Sequence, residues 1–490
     1  MESDTQRLKL KREVGIIGGV SFIAGTMIGS GIFISPQFVL SASGSPGASL
    51  VIWTCCGLIS MLAGLCYAEL GTVIPESGGE FIYILRTAGK VVAFMFVLSF
   101  IVVMKPASAT GVALSFAEYV VAPFYSGCSP PQLVLKLVAA GAIMVLTAVN
   151  CLSVRLATGI QVVSMAVKLL ALAVIILGGV VMLFQGHTEN FDNSFEGTNV
   201  DVSSMGIAFY QGLWSYGGWN TLNYLTEELK DPEGLWSYEG WNTLNCLTEE
   251  LKHPEVNLPR AIVIGISLVT GLYLLVNVSY LTVMTPRELM SSSAVAVTWG
   301  NKMLGSWGWI MSVAAALSAF GSLNGTFFSG GRVSFVAARE GHLPDILAMA
   351  HVHRLTPSPA LIFTTIVSLL VLIPGDFQSI VNFFSFTAWI FYGITLSGLL
   401  YLKIKKPELP RPYKVPIILP ILVIIVAVFL VLAPIIDDPQ IEYLYVTLFI
   451  LSGALFYIPL IHYKLCPGLL TKLTVFLQLL LEVAPAEKNL

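Results

Sequence analysis

Apolar residues run through this chain in long blocks, separated by short polar and basic stretches. A helix that crosses a bilayer needs about 20 mostly apolar residues, with a working range of about 17–25. Twelve blocks meet that need, near 14–39, 47–72, 90–120, 132–152, 157–185, 203–226, 260–284, 305–334, 358–374, 377–402, 415–435 and 441–463. The pattern predicts an all-α polytopic membrane protein with 12 transmembrane helices. A polar tail follows the last block, and its amphipathic stretch Leu469–Leu481 is a candidate to lie on the membrane surface.

Lysine and arginine accumulate on the cytoplasmic side of membrane proteins. Arg7, Lys9, Lys11 and Arg12 precede span 1, and Arg86 and Lys90 lie between spans 2 and 3. Arg155 sits between spans 4 and 5, and Lys230, Lys252 and Arg260 between 6 and 7. Arg332, Arg339 and Arg354 follow span 8, and Lys403, Lys405, Lys406, Arg411 and Lys414 follow span 10. A twelve-span count puts all of these on one side and leaves Lys136, Arg287 and Lys302 on the other. Both termini are therefore expected in the cytoplasm. One missed span would scramble the agreement. The first apolar run is long enough to cross, so no cleaved signal peptide is expected.

Two blocks are interrupted. The first contains Gly25-Thr-Met-Ile-Gly-Ser-Gly-Ile-Phe33. In lipid every backbone N–H and C=O needs an internal partner, so a broken helix is tolerated only where it lines a cavity or is buried in protein. A break exposes a half-helix end whose free N–H groups can hold a carboxylate. The same glycines also fit simple helix packing, since Gly25 and Gly29 form a G-x-x-x-G. The second interruption favours the substrate-site reading. Gly217 and Gly218 fall in the middle of span 6. Matching breaks in the first and sixth segments fit an inverted repeat of five helices plus five, with the substrate between the breaks.

Span 6 also carries a tandem duplication. Gly212–Glu233 reads GLWSYGGWNTLNYLTEELKDPE, and Gly234–Glu255 reads GLWSYEGWNTLNCLTEELKHPE. The copies differ at three positions: Gly217/Glu239, Tyr224/Cys246 and Asp231/His253. Two units do not make a repeat array. One copy fits the span. Copy one follows Gly206-Ile-Ala-Phe-Tyr-Gln211 directly and is the simpler occupant, with copy two in the cytoplasmic loop; the reverse arrangement, or two alternative exons joined in one chain, gives the same text.

Charged residues make up 11% of the 490 residues, against about 25% in soluble domains. The mean hydropathy is +0.81. No basic patch supports nucleic-acid binding. Two lysines fall inside spans: Lys105, before Pro106, and Lys168, in Val163-Ser-Met-Ala-Val-Lys-Leu-Leu170. A charge at mid-membrane costs at least about 2.5–3.5 kcal/mol, so it normally faces a cavity or a partner. Lys168 is the stronger candidate for the transport core, with snorkelling or a structural pair as the alternative. Of seven cysteines, Cys128 alone is placed on the extracellular side and outside a helix, in Pro123-Phe-Tyr-Ser-Gly-Cys-Ser-Pro-Pro131. A lone cysteine on the oxidising side suggests a bond to another chain, or an unpaired surface thiol. Cys55, Cys56, Cys66, Cys151, Cys246 and Cys466 read as packing. The sequons at Asn277 and Asn324 lie within spans and are not expected to carry sugar. No metal-ligand spacing, cofactor motif or nucleophile–base constellation is present. Glu69, at the cytoplasmic end of span 2, reads as a helix-end contact rather than an acid or base.

The chain resembles the light subunits of heteromeric amino-acid transporters, in the amino acid–polyamine–organocation superfamily. The resemblance covers nearly the whole chain. It rests on Gly25–Phe33, Pro75-Glu-Ser-Gly-Gly-Glu-Phe-Ile-Tyr83, Leu213-Trp-Ser-Tyr-Gly-Gly-Trp-Asn220, Thr226-Glu-Glu-Leu-Lys230, Asn257-Leu-Pro-Arg-Ala-Ile262 and Ala338-Arg-Glu-Gly-His-Leu-Pro344. Asn190–Gly197 and Lys105-Pro106 look most like the broad-specificity subgroup, which exchanges cationic amino acids and cystine for neutral ones. The resemblance implies a LeuT-type fold and sodium-independent exchange across the plasma membrane, the apical membrane included. It implies that Gly29, Ser30 and Gly31 hold the substrate carboxylate, that carbonyls near Met27 and Ser215 take the amino group, and that Trp214 is an aromatic gate. Gly217 then lies in the site and Asn220 steadies the broken sixth helix; with copy two in the span, Trp236, Ser237, Glu239 and Asn242 take those places. It implies that Lys168 stands where sodium-coupled relatives bind an ion, and that Cys128 joins a single-span glycoprotein heavy subunit.

The expected layout is a cytoplasmic tail at 1–13, a ten-helix transport core at 14–402, helices 11 and 12 at 415–463, and a cytoplasmic tail at 464–490. The competing readings are a proton-coupled solitary uptake transporter of the same fold, a neutral-only L-type exchanger and, remotely, a membrane receptor or sensor.

Overall fold

The computed structural model describes residues 24–25, 27–74, 79–125, 130–218, 254–339, 341–351, 356–436, 441–459 and 467–485. The expectations for the N-terminal tail, Cys128, Asn220, Trp236, Ser237, Glu239 and Asn242 lie outside these residues.

Within the described residues, the apolar blocks form helices. In chain order they are α1 (Gly31–Ser43), α2 (Pro46–Val73), α3 (Glu80–Thr87), α4 (Lys90–Ser99), α5 (Lys105–Val121), α6 (Gln132–Leu152), α7 (Val154–Phe184) and α8 (Val202–Ser215). Then follow α9 (Pro254–Val283), α10 (Pro286–Ser291), α11 (Val295–Leu304), α12 (Trp309–Arg339), α13 (Ser358–Leu372), α14 (Phe377–Lys405), α15 (Ile418–Ile436), α16 (Ile441–Tyr457) and α17 (Pro467–Leu481). Eight helices among the described residues are long and apolar enough to span a membrane, and α1, α13 and α16 are shorter apolar helices. The protein is therefore a multi-pass helical membrane protein. The amphipathic stretch is the helix α17. One feature outside the sequence reading is a short ribbon, in which β1 (Met349–His351) pairs antiparallel with β2 (Val483–Pro485).

Local chemistry sets several helix ends. The Ser45 hydroxyl accepts the Ala48 N–H, with Pro46 at the first helical position of α2. Ser153 alone separates α6 from α7 and caps α7 through the Leu156 N–H. Asp376 caps α14. Thr285 and Glu288 form a capping box on α10. Glu288 also pairs with Lys302 at 2.6 Å. The Lys302 and Thr285 bonds hold its carboxyl at about 2, below the usual range. A π-helical turn, Phe100–Met104, joins α4 to α5 just before Lys105. Lys105 lies 5.3 Å from the Phe100 ring centroid.

Glu69 is more than a helix-end contact. Its carboxylate is fully buried and takes Lys403 at 2.7 Å and Arg411 at 3.3 Å. It also accepts the Val415 N–H at 2.8 Å. The Arg411 contact is charge on charge rather than an aligned hydrogen bond. That guanidinium instead donates to carbonyls around the end of α14, including Leu402 O at 2.8 Å and Lys406 O at 3.1 Å. The cluster ties α2 to α14 and to the segment leading into α15. The sequon residues Asn277 and Asn324 are buried in α9 and α12.

Candidate functional site

The two predicted breaks lie side by side. The segment before α1 ends in bends at Ile28, Gly29 and Ser30, and α1 starts at Gly31. Ser30 gives α1 no side-chain cap. The first N–H groups of a helix have no intrahelical acceptor, so this end stays open to an anionic group. α8 stops at Ser215, followed by a turn through Tyr216, Gly217 and Gly218. Gly218 has φ +110°, a conformation that side chains rarely adopt. The described part of copy one is its first seven residues, 212–218.

α1 and α8 pack antiparallel. At one end Gly31 meets Ser215, and at the other the Asn199 N–H donates to Ser43 O at 2.9 Å. A Cβ on Gly31 would lie 2.5 Å from Ser215 Oγ and 2.7 Å from Ser215 Cα. Only a glycine permits this approach, which is what brings the two breaks together.

Tyr273, on α9, holds both. Its hydroxyl lies 2.8 Å from Met27 O and 2.8 Å from Ser215 O. These are the carbonyls named for a substrate amino group. One phenolic proton is shared between two acceptors, so lone-pair capacity remains for a further donor. Tyr273 packs edge-on against Trp53 and Tyr216, with ring centroids 5.6 Å and 5.0 Å away. The sequence reading missed Tyr273. Its signal was a tyrosine in the middle of an apolar span, where a phenol needs a partner. Replacing it with Phe removes the shared bond and keeps the ring. A net hydrogen bond is worth about 0.5–1.5 kcal/mol. Amino-acid uptake by Tyr273→Phe is expected to fall roughly threefold to tenfold at equal surface amount; unchanged uptake would remove Tyr273 from the site.

Lys168 is buried and donates to Gly25 O at 2.8 Å, one turn before the first break. Its ammonium thus sits where that half-helix ends, favourable for a cation. Ser318 on α12 donates to Gly29 O at 3.4 Å, and Ser322 is the side chain nearest Gly29. These two serines were also missed; they are the i, i+4 polar pair of an apolar helix, a detectable signal.

Trp214 forms one wall. Its indole meets Phe384 and Phe377 edge-on, at 5.1 Å and 6.3 Å between centroids. A Cβ on Gly111 of α5 would lie 3.3 Å from it. Among the described residues, a Cβ added on Gly217 would meet Trp214 O at a tight 3.1 Å. The structure thus brings together Met27, Gly29, Ser30, Gly31, Lys168, Trp214, Ser215 and Gly217. No group of three or more residues suited to a metal occurs among the described residues.

Paired helix breaks inside a multi-pass helical protein are the arrangement of a membrane transporter. The chain belongs to the amino acid permease family, whose profile matches residues 16–233 and 232–458. The two matches part at the junction of the duplicated blocks. The human b(0,+)-type amino acid transporter 1 is 49% identical over 482 residues, 98% of this chain and 94% of the relative. The mouse protein of that name is 48% identical over 489 residues, 99% and 96%. The human large neutral amino acids transporter small subunit 2 is 43% identical over 433 residues, 88% and 77%. These relatives bear out the resemblance to transporter light subunits.

Proposed function

We propose that this chain is the transporting light subunit of a sodium-independent amino-acid antiporter of the plasma membrane, exchanging cationic amino acids and cystine for large neutral ones. The observation that carries the reading is the meeting of the two helix breaks at Gly31 and Ser215 under one tyrosine hydroxyl. The open end of α1 at Gly29, Ser30 and Gly31 takes the substrate carboxylate. The carbonyls of Met27 and Ser215 take the amino group, and Trp214 closes over the side chain. Lys168, which donates to Gly25 O, stands in the place where sodium-coupled relatives bind an ion. The relatives' names speak of amino acids and of a small subunit. By extension, Cys128 joins a single-span glycoprotein heavy subunit. The twelve helices form a LeuT-type five-plus-five repeat, with both termini in the cytoplasm, and work by alternating access.

A second reading, a neutral-only L-type exchanger, is favoured by one feature: the described break carries the uncharged Gly217. Copy two has Glu239 at that place. A carboxylate there pairs with a cationic side chain, while glycine suits large neutral substrates. A chain lacking 212–233 is therefore expected to carry arginine, and Glu239→Gln in it to lose that arginine uptake by about tenfold or more, because a buried ion pair missing one partner is strongly disfavoured. Arginine uptake that ignores Glu239→Gln would refute the assignment. The test of the function itself is labelled arginine and leucine uptake in cells co-expressing a heavy subunit, comparing the full chain with forms lacking 212–233 or 234–255. Uptake of neither substrate by any form would end the proposal.

A further inference from the structure

One polar contact on the α8–α14 face has no part in the account above. Gln211 stands one turn before Ser215 on α8 and is fully buried. Its Nε2 donates to Asn382 Oδ1 at 3.0 Å and, more weakly, to Gln378 O at 3.5 Å. Both partners are on α14. The backbone carbonyl can only accept, so it fixes which end of the amide faces α14. Gln211 Oε1 is left with no hydrogen-bond partner among the described residues. By the antiparallel register, Ser35 is the position of α1 that faces this turn of α8, and its buried hydroxyl also has no partner among the described residues.

Around this contact the face is aromatic. Phe377 stacks on Phe38 of α1 at 5.5 Å, and Trp214 meets Phe377 and Phe384. Among the described residues no ion pair crosses from α14 to α1 or α8. Ring contacts slide and separate at small cost, and the amide pair supplies the direction. A buried carbonyl without a partner costs free energy that water would restore on opening. One side chain thus both holds α14 closed and limits how firmly it closes.

We propose that Gln211, with Asn382, is the outer latch of the transport site: a positioning residue that sets how often α14 parts from the α1–α8 pair on the side where α8 and α14 begin. Its consequence for exchange rests on the alternating-access reading above. The latch also suits copy one. In this chain copy two is preceded by Asp231-Pro232-Glu233, so the full chain with copy two in the span would put Glu233 in the place of Gln211. A carboxylate cannot donate to Gln378 O, and it would bring a charge into a fully buried place.

The test uses the full chain in intact cells with a reporter at Val381→Cys. Val381 is fully buried and packs with Ile34, Phe377 and Trp214. A membrane-impermeant thiol reagent is added outside, and the mass of the peptide containing residue 381 gives the labelling rate. Gln211→Met, which keeps the side chain's length, is expected to speed labelling about tenfold, and Asn382→Leu likewise. The double variant replaces a polar pair by an apolar one and is expected to return toward the slow parent rate. Equal rates in all four forms, or additive acceleration in the double variant, would overturn the latch. A second readout is the half-saturation for substrate on each face. Gln211→Met is expected to lower it outside and raise it inside, which a loss of fold would not do. Should the labelling pattern hold while no amino acid is exchanged, the latch stands and the transport reading fails. Should exchange be intact and labelling flat, the latch fails and the transport reading stands.

Discussion

Gly31→Ala is expected to abolish most amino-acid uptake while leaving the chain in the membrane. The added Cβ falls 2.7 Å from the backbone Cα of Ser215 and 2.5 Å from its Oγ. A rotamer change can move the hydroxyl, but not the backbone. α1 and α8 must therefore move apart, and with them the open N–H groups of one break and the carbonyl of the other. Overpacking of this kind costs about 1–3 kcal/mol. Here the cost falls on the geometry of the site, so uptake is expected to drop by about tenfold to a hundredfold. Ser215→Gly in the same chain removes two of the three clashing atoms, Oγ and Cβ, and is expected to restore part of the activity. Uptake by Gly31→Ala equal to that of the parent would show that the breaks do not need to touch.

Glu69→Gln is the second large expectation, and it concerns stability. The carboxylate is fully buried, with Lys403 and Arg411 close by, 5% and 7% exposed. Removing its charge leaves two cations in a low-dielectric place with no compensating anion. Breaking a buried pair in this way costs about 3–5 kcal/mol. The melting temperature of the detergent-solubilised protein is expected to fall clearly. Glu288→Gln provides the contrast, because Glu288 and Lys302 are 43% and 38% exposed. Solvent screens that pair, and its loss is expected to cost under about 1 kcal/mol. If the two variants melt alike, the Glu69 cluster is not the anchor described here.

Much of this architecture was legible in the sequence because bilayer-length apolar blocks are a strong signal. The blocks at 47–72, 90–120, 132–152, 377–402 and 415–435 lie within a few residues of helices. The two breaks were legible because glycine clusters recur in the first and sixth spans; one cluster alone fits helix packing equally well. Which groups face one another was not legible. Tyr273 is one tyrosine in a long apolar helix, and nothing in its neighbours along the chain tells that its hydroxyl reaches two other helices. Glu69 pairs with Lys403, 334 residues away, so no local pattern carries that contact. The Met349–His351 ribbon with Val483–Pro485 escaped because three-residue strands fall below any periodicity. The duplication was plain in the text, yet the place of Gln211 immediately before copy one acquired meaning only beside Asn382.

The central claim is that the paired breaks form an exchange site for amino acids. It is tested most directly by efflux. Cells co-expressing a heavy subunit are loaded with labelled leucine and placed in sodium-free medium, with or without external amino acid. The expected result is that label leaves the cells only when an amino acid is present outside, and that Gly31→Ala removes this stimulation. Efflux that proceeds equally with and without external amino acid, or a stimulation that Gly31→Ala leaves intact, would contradict the account.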